Sequence, residues 1–578
     1  MPPADIDLLH AARCEDLQYA QIKELSVEGD FERKTIDTLK GSGAHLLQGA
    51  RGMGKSMLLR LAEIELDADF SSGRQLGVYV NFKTSTLLEG VRAGERDAFQ
   101  IWVNVKILQA LHEKLAFLHL IGRGGDRDPY YRVFQIESVE GTKTVLEDKI
   151  HLLQKLALKG SNRESILKDL GQEFLDRILD TNFLITVINS VVEQFKIARI
   201  VVLFDEAAHT FIPSQQEIFF EIFKLLHGER ISVKAAVYPT VTNYGRNFEV
   251  GHDAIVLAMD RFEPGEAGRA ENRKLFRALL DKRLPTKGPI RKQVFNRGEI
   301  LDLCIDLSTG NPRAFLHLLN RALDGGFSER AATLAAQEYI DQELLPYHMN
   351  LTKRLPKFAH HVRVGLELLR SYIIPEIRTK NHRQTKSGYQ SAFFTVQRDM
   401  SPNLKLALDI LCYSGVLLNK GTVKIAERQT GLRYMIHLAL LATEKAFSNA
   451  KLADAMGSIS LTDYREFSAA DPQISTFLRT LQEASDQCTI CLNPLPANAK
   501  FCSECGTQVE AKSIISTLLD EPVGKLSISF RLVTRIKPLF PRVGDVVQAR
   551  REELMKIAYI KEVRSRMIKN AADEFISG

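Results

Sequence analysis

Short apolar runs and longer amphipathic stretches alternate through the first half of the chain. Residues 95–197 place apolar side chains every three or four positions, which predicts a helical insertion longer than one crossover helix. Five further runs have the length and composition of strands, at residues 44–48, 76–82, 200–204, 233–239 and 254–258. The run at 200–204 is apolar throughout, as in a parallel strand buried on both faces. We therefore predict an α/β fold built on a parallel sheet.

The region after residue 350 follows a different pattern. Helices are predicted at residues 361–374 and 403–414, and a β-hairpin at residues 415–425. The turn of this hairpin is expected at Asn419-Lys420-Gly421, because a glycine tolerates the backbone angles of a tight turn. Helices that lead into a hairpin are typical of a winged-helix domain.

Length and composition limit the class of protein. At 578 residues the chain is too long for one hydrophobic core, so we expect about three to five domains. Its composition is that of a soluble globular protein, and no apolar run reaches the ~18 residues of a membrane span. The N-terminus has no basic region followed by an apolar one, so no secretory signal is expected. We expect a cytoplasmic protein without membrane association.

The net charge of +6 is unevenly distributed. Residues 351–450 contain 16 Lys/Arg and 6 Asp/Glu, residues 511–578 contain 13 and 8, and the rest of the chain therefore carries −9. Two basic blocks behind an acidic part are typical of nucleic-acid-binding modules, so duplex DNA is an expected partner. The alternative is that both blocks are ordinary solvated helices. A flexible basic segment suited to phosphates is expected at Arg378, Lys380, Arg383 and Lys386.

A glycine-rich segment joins the first predicted strand to a predicted helix. It reads Gly49-Ala50-Arg51-Gly52-Met53-Gly54-Lys55-Ser56, the G-x-x-x-x-G-K-[ST] pattern of a phosphate-binding P-loop. Its glycines let backbone N–H groups surround a phosphate, and the helix N-terminus adds partial positive charge. Lys55 can reach the β- and γ-phosphates, and the Ser56 hydroxyl can bind Mg²⁺. We predict that ATP is bound by Gly49, Gly52, Gly54, Lys55, Ser56 and Met57.

Two acidic residues end the apolar strand at 200–204. Asp205 is expected to hold Mg²⁺ through water, because ligands of open α/β sheets bind at the carboxyl ends of the strands. Glu206 is expected to activate the attacking water, because hydrolysis needs a carboxylate in line with the γ-phosphate. The next strand is followed by Thr240 and Asn243. Either of them could contact the γ-phosphate or the water, and a plain loop is the alternative.

Residues 270–345 return to helical spacing and contain Ser308-Thr309-Gly310-Asn311-Pro312-Arg313. Gly-Asn-Pro favours a turn, and proline fits the first position of a helix. Arg313 is therefore expected to project from the start of a helix.

The P-loop, the strand that ends in Asp205-Glu206, the polar strand tip and the late Gly-Asn-Pro-Arg resemble the AAA+ and STAND ATPases, in particular the origin-recognition ATPases of archaea and eukaryotes. The resemblance covers residues 25–345, and the helical insertion departs from it. It implies that Arg313 contacts the γ-phosphate from a helical lid. It also implies nucleotide-dependent homo-oligomers in which a neighbouring subunit supplies Arg246 or Arg261. Origin-recognition-like ATPases carry a winged helix after the lid as well.

Cysteines form a second chemical pattern near the C-terminus. Cys488-x2-Cys491-x10-Cys502-x2-Cys505 has the spacing of a structural site in which four thiolates bind one Zn²⁺. Disulfides are disfavoured in the cytosol, so we expect zinc. The segment resembles the short zinc ribbons of many bacterial and archaeal proteins. Ordinary buried thiols are expected at Cys14, Cys304 and Cys412.

The basic tail, residues 513–578, resembles a helix–hairpin–helix module such as the C-terminal domain of the RNA polymerase alpha subunit. In such modules a glycine-bearing hairpin follows an Ile-x-x-Ile step and binds phosphates. Here Ile557-Ala558-Tyr559-Ile560 is followed by Lys561-Glu562-Val563, without that glycine. The tail is therefore expected to bind either DNA or a protein.

These patterns divide the chain into six segments. They are a P-loop ATPase core at 1–270 with its insertion, a helical lid at 271–350, a winged helix at 351–450, a helical linker at 451–485, a zinc ribbon at 486–510 and the helix–hairpin–helix-like tail at 511–578. Two functions fit this order. An ATP-hydrolysing AAA+-type enzyme would bind DNA through its C-terminal modules, in antiviral defence or DNA transactions. A STAND-like signalling or scaffold ATPase would bind a protein partner through them instead.

Overall fold

The structure is a computed structural model, and it describes residues 9, 14, 17–83, 96–122, 128–134, 136, 138–156, 163–206, 213–239, 242–259, 265–355, 358–383, 388–398, 400–426, 429–448, 451–468, 471–483, 518–549 and 551–577. A five-stranded sheet has the order β2-β3-β4-β1-β5, with every pairing parallel. Its strands are β1 (Ala44–Gln48), β2 (Gln75–Asn81), β3 (Arg199–Asp205), β4 (Ile231–Val237) and β5 (Ile255–Ala258). The α/β prediction with a parallel sheet is confirmed.

The register of this sheet brings the ends of its central strands to one edge. Gln48 of β1 pairs with Val237 of β4, and Phe204 of β3 pairs with Ala235 of β4. Because the strands are parallel, the segments that follow β1, β3 and β4 leave the sheet side by side. All three strands are almost entirely buried, which explains their apolar sequences, whereas β5 lies at the edge and is partly exposed.

Helices surround the sheet and occupy the connection from β2 to β3. The helices Tyr19–Leu25 and Asp30–Lys40 precede β1, Lys55–Ala68 and Phe70–Gly73 follow it, and Pro213–Leu226 joins β3 to β4. The connection from β2 to β3, where an insertion is predicted, contains the helices Arg96–Phe117, Tyr131–Phe134, Val139–Leu156, Arg163–Leu170, Gln172–Leu179 and Thr181–Gln194. Its apolar faces share one buried cluster with side chains of β2, β3 and β4.

A buried carboxylate lies between the first two helices of the insertion. Asp128 is buried, and its carboxylate lies 2.7 Å from His112 Nε2. The same carboxylate accepts a hydrogen bond of 2.8 Å from the backbone N–H of Tyr130. These partners offset the cost of burying a charged group, and only the fold brings His112 to Asp128.

A second helical segment, residues 266–354, follows the sheet and confirms the helical spacing predicted at 270–345. It consists of the helices Glu266–Arg283, Pro289–Asn296, Gly298–Leu307, Pro312–Asp324, Glu329–Tyr339 and Leu345–Arg354, with a π-helical turn at Ile340–Leu344. Among the described residues, no helix is long and apolar enough to cross a membrane.

A second sheet lies further along the chain and has the order β7-β8-β6-β9. Its strands are β6 (Phe393–Gln397), β7 (Leu417–Ala426), β8 (Gln429–Ile436) and β9 (Tyr464–Phe467). It is accompanied by the helices Ala359–Leu368, Ile374–Arg383, Pro402–Ser414 and Leu438–Thr443, with a π-helical turn at Leu369–Ile373. The helix Pro402–Ser414 leads directly into the pair of strands β7 and β8.

The predicted hairpin turn at Asn419-Lys420-Gly421 is wrong. These residues lie inside β7, where the pairing with β8 shifts between Asn419 and Thr422. Asn419 Oδ1 accepts a hydrogen bond of 2.8 Å from the N–H of Gly421, whose φ is 83°. A glycine with positive φ serves a β-bulge as well as a turn, so the local sequence does not distinguish them.

The segment predicted as a helical linker, residues 451–485, contains the helices Leu452–Gly457 and Pro472–Glu483 but also β9. This strand pairs with β6 in parallel, so it belongs to the second sheet. The described tail consists of a 3₁₀ turn at Val523–Lys525 and the helices Phe530–Ile536, Val543–Gln548, Arg551–Met555 and Glu562–Ser577. These elements enclose a small apolar core of their own.

Candidate functional site

The P-loop has the backbone conformation that its glycines permit. Gly52 and Gly54 have φ of 83° and 88°, in the left-handed region, and the helix Lys55–Ala68 begins directly afterwards. A Cβ atom on Gly52 would lie 2.6 Å from Asn311 Oδ1, and one on Gly49 would lie 2.9 Å from Met259 Cβ. Glycine is therefore required in this loop for two reasons. A side chain at Gly52 or Gly54 would strain the backbone, and a Cβ atom at Gly49 or Gly52 would collide with a neighbouring residue.

Lys55 is buried at the start of the P-loop helix. Its ammonium group donates to the backbone oxygens of Gly49 at 2.7 Å and Ala50 at 3.1 Å, and it lies 4.2 Å from the centre of the Tyr238 ring. Burial lowers the pKa of Lys55 to about 8, although the nearby carboxylate of Glu206 opposes this shift. Phosphate oxygens could replace these two carbonyls as acceptors, since both kinds of oxygen accept from an ammonium.

Asp205 and Glu206 lie at the end of β3, where the sequence predicts a catalytic pair. Asp205 is 1% exposed, and its Oδ2 accepts a 2.5 Å hydrogen bond from the Tyr79 hydroxyl. Its Oδ1 accepts from the backbone N–H of Glu206 at 3.0 Å. Glu206 has a φ of 56°, unusual for a residue with a side chain, and it lines the same cavity as Lys55.

The residue that reaches Glu206 from the next strand is Tyr238, which the sequence analysis missed. It directly follows β4, and its hydroxyl donates to Glu206 Oε2 at 2.8 Å. Burial, and next the Glu206 carboxylate, raise the pKa of Tyr238 well above its usual value, so the phenol keeps the proton it donates. One signal could have found it, because Tyr238 is the first residue after the strand that neighbours β3.

The two residues predicted for this role follow β4. The backbone N–H of Asn243 donates to Gln216 Oε1 at 2.6 Å, and its Oδ1 accepts from the backbone N–H of Gly245 at 3.1 Å, so its side chain takes part in a local turn. A contact of Asn243 with phosphate or water stays a prediction. Thr240 lies outside the described residues.

The second helical segment contacts the P-loop through Asn311. As predicted for Gly-Asn-Pro, Asn311 precedes the helix Pro312–Asp324, and its Oδ1 accepts from the backbone of Arg313 at 3.0 Å. Its Nδ2 donates to the backbone oxygen of Arg51 at 2.9 Å. Through this contact Arg313 lies at the cavity that holds Lys55 and Glu206.

The cavity continues from the P-loop into an apolar half. Side chains from three helices and from the segment after the first of them line it, namely Leu25, Val27, Leu58, Leu61, Phe276 and Leu279. An apolar slot beside polar residues suits a flat heterocycle attached to phosphates. Cys14, which is half-buried, also lines this cavity, whereas Cys304 and Cys412 are buried thiols as predicted.

Ser56 and Asp205 can together hold a Mg²⁺ ion. No cluster of three or more His, Cys, Asp or Glu side chains occurs in the described part of the chain. One carboxylate is enough here, because Mg²⁺ usually binds through one or two carboxylates and completes its shell with phosphate and water oxygens. The residues present therefore fit a Mg²⁺ that binds with a nucleotide. The four predicted zinc ligands, Cys488, Cys491, Cys502 and Cys505, lie outside the described residues.

The basic segment predicted as flexible is partly helical and partly engaged. Arg378, Lys380 and Arg383 lie on the helix Ile374–Arg383, and Lys386 lies outside the described residues. Arg378 donates to the backbone oxygen of Glu444, and Lys380 forms an ion pair with Asp463. Arg378 and Lys380 thus hold this domain together. Of the two arginines expected to reach a neighbouring subunit, Arg246 is exposed, and Arg261 is outside the described residues.

No family model and no curated protein matches the sequence. Solved structures with some similarity are the ORC2 protein of Aeropyrum pernix in ADPNP and ADP complexes (12% identity, 74% of this chain and 91% of that chain, TM-score 0.30) and the ORC1 protein of Aeropyrum pernix in complex with DNA (14%, 77% and 96%, TM-score 0.29). A third is the Walker-type ATPase PABY2304 of Pyrococcus abyssi (16%, 72% and 94%, TM-score 0.33). Scores this low do not establish a shared fold, so function has to be inferred from the site itself.

Proposed function

We propose that this chain is a Mg²⁺-dependent ATP hydrolase that binds DNA through its C-terminal modules. The observation that carries the first part is the convergence of Lys55, Glu206 and Arg313 on one cavity behind the P-loop. These residues come from three distant parts of the sequence. Their side chains supply a phosphate-binding ammonium, a carboxylate and a second cation, which are the groups that phosphoryl transfer to water requires.

Each residue has a separate role in this proposal. Lys55 binds the β- and γ-phosphates, and Ser56 and Asp205 hold Mg²⁺, which supplies charge neutralisation at the phosphates. Glu206 orients and activates the attacking water, and Tyr238 positions the Glu206 carboxylate through its 2.8 Å hydrogen bond. Arg313 contacts the γ-phosphate. The chain forms ATP-dependent homo-oligomers, in which a neighbouring copy supplies Arg246 or Arg261 to the nucleotide site. The direct test is phosphate release from ATP by the purified chain, with and without Mg²⁺.

The proposed DNA surface is the hairpin β7–β8 rather than the helix Ile374–Arg383. Lys424 of β7 pairs with Thr430 of β8, and the backbone N–H of Arg398 donates to the oxygen of Thr430 at 3.0 Å. Arg398 and Lys424 therefore flank the same residue of the central strand, and both are exposed. Two neighbouring exposed cations suit the phosphate backbone of a duplex. The second candidate function, a STAND-like scaffold ATPase, would use this surface for a protein.

Replacing both hairpin cations should weaken duplex binding. In Arg398→Gln/Lys424→Gln, we expect the slope of log affinity against log salt to fall by about 2, because each phosphate contact contributes about 0.9. Affinity for ATP should not change, since neither residue lines the nucleotide cavity. Fluorescence anisotropy of a labelled duplex at several salt concentrations measures the slope.

A matched control removes the same charge elsewhere. Lys143→Gln/Arg177→Gln changes two cations on helices of the insertion, each with 44% of its side chain exposed. This control should bind the duplex as the unaltered chain does. Negligible duplex binding by the unaltered chain, at low and at physiological salt, would reject DNA binding and favour the scaffold function.

The cysteine-rich segment should hold about one Zn²⁺ per chain, set by its four thiolates. We expect Cys502→Ser to release the metal and to unfold residues near 486–510 while ATP binding persists. Ser503→Ala, beside a ligand but without a thiolate to lose, should keep the zinc. Elemental analysis of the purified proteins measures the metal, and a folded, zinc-free preparation of the unaltered chain would contradict the prediction.

A further inference from the structure

An exposed aromatic ring flanked by cations lies on the tail, in the turn between the helices Arg551–Met555 and Glu562–Ser577. Tyr559 is 67% exposed. The Arg535 guanidinium lies 4.4 Å from the centre of the Tyr559 ring, and Arg564 Nη1 donates to the backbone oxygen of Tyr559 at 2.8 Å. Two separate helices thus place a guanidinium beside the same residue. Since Arg535 lies over the ring and the side chain is still mostly exposed, one aromatic face remains open to solvent.

Neither packing nor backbone preference explains a tyrosine at this position. Its φ is 69°, in the left-handed region that costs free energy for any residue with a Cβ atom. Burial does not offset this cost, because the ring lies largely in water. Glycine would fit the turn without strain. The tyrosine side chain is therefore best explained by something that it binds.

Further exposed cations accompany Tyr559. Arg531 precedes Arg535 by one helical turn, so both point from the same side of the helix Phe530–Ile536, and Lys561 follows the tyrosine. All three are exposed. Among the described residues, no ion pair involves Arg531, Arg535, Lys561 or Arg564, whereas the neighbouring Glu562 is paired with Arg551. An anionic ligand with a flat apolar group matches this surface.

We propose that the Tyr559 surface, formed by Arg531, Arg535, Tyr559, Lys561 and Arg564, binds a single-stranded segment of nucleic acid. An unpaired base stacks on the open face of Tyr559, and backbone phosphates contact Arg531 and Lys561. A duplex cannot use the ring in this way, because its bases already stack on one another. The inference rests on the proposed DNA binding and adds to it a strand preference: the hairpin β7–β8 holds duplex phosphates, and the tail holds an unpaired strand.

The test uses the full-length chain and three labelled probes: an oligothymidine, an abasic strand of the same length and a duplex. In Tyr559→Gly we expect affinity for oligothymidine to fall about tenfold or more, within the range measured for one aromatic stacking partner. Affinities for the abasic strand and the duplex should not change. Glycine accepts the left-handed backbone, so this variant should be at least as stable as the unaltered chain in thermal unfolding.

Two further variants separate stacking from charge. Tyr559→Phe keeps the aromatic face and should bind oligothymidine as the unaltered chain does. Arg531→Gln should weaken binding of oligothymidine and of the abasic strand by equal factors. The inference is overturned if the unaltered chain binds abasic and base-bearing strands equally well, or if Tyr559→Gly binds oligothymidine normally. If the chain still binds the duplex in either case, the proposed function stands. If the unaltered chain binds no nucleic acid at all, both this inference and the proposed DNA binding are rejected.

Discussion

Lys55→Ala should lower ATP affinity by at least about 100-fold. The ammonium of Lys55 donates at 2.7 Å and 3.1 Å to P-loop carbonyls that phosphate oxygens would replace. Two charge-assisted hydrogen bonds to a phosphate contribute about 1.5–3 kcal/mol each, and alanine supplies neither. Binding of a fluorescent ATP analogue measures the loss.

The control for this variant is Lys34→Ala. It removes an exposed ammonium from the helix Asp30–Lys40, and Lys34 is not among the residues that line the cavity. Circular dichroism should show that both variants are folded. If Lys55→Ala binds ATP as the unaltered chain does, the P-loop assignment is wrong.

The lowered pKa of Lys55 predicts that the affinity for ATP depends on pH. Burial lowers the pKa of Lys55 to about 8 in the nucleotide-free protein, and bound phosphate would raise it, because an anion favours the charged form. Binding therefore takes up a proton above pH 8. We expect ATP affinity to be constant below that pH and to fall by up to tenfold per pH unit above it. Lys55→Ala should lose this dependence.

Glu206→Gln should leave ATP binding intact and reduce the rate of hydrolysis by about 100-fold or more, in the range of a lost general base. The substitution conserves shape, and the hydroxyl of Tyr238 can donate to the amide oxygen as it does to Glu206 Oε2 at 2.8 Å. Only the basicity that activates water is removed. Phosphate release under saturating ATP measures the effect on turnover.

Two comparisons sharpen this prediction. Glu221→Gln changes an exposed carboxylate on the helix Pro213–Leu226 and should hydrolyse ATP at the normal rate. Tyr238→Phe removes the hydrogen bond that positions Glu206, so it should slow turnover in the unaltered background and add little to Glu206→Gln. Normal turnover by Glu206→Gln would show that this carboxylate does not activate the water.

Local patterns in the sequence determined the elements that build the site. The apolar runs at β1, β3 and β4 predict buried parallel strands because such strands have no polar face, and each lies close to its predicted position. The P-loop and the capping residue Asn311 are equally local, since their functions depend on the backbone angles and hydrogen bonds of neighbouring residues. For the same reason the sequence could not distinguish a bulge from a turn at Gly421, because both use the same backbone conformation.

The basic residues of the C-terminal half show what local patterns cannot predict. The sequence identifies residues 351–450 as basic, but it does not tell which cations are already engaged. Lys380 is paired with Asp463 and Arg378 with the backbone of Glu444, whereas Arg398 and Lys424 are exposed beside the hairpin. Partners of this kind are distant in the sequence, so only the folded chain reveals them.

The sequence by itself determined that this protein has a P-loop, an acidic strand end and an arginine at a late helix start. Only the tertiary structure decided that Tyr238 reaches Glu206, and that Asn311 brings Arg313 to the cavity of Lys55. The physical reason is the order of the sheet. Because β4 lies between β3 and β1, the first residue after β4 lies close to the residues that follow β3 and β1. The order of strands in the sheet cannot be read from the spacing of residues along the chain.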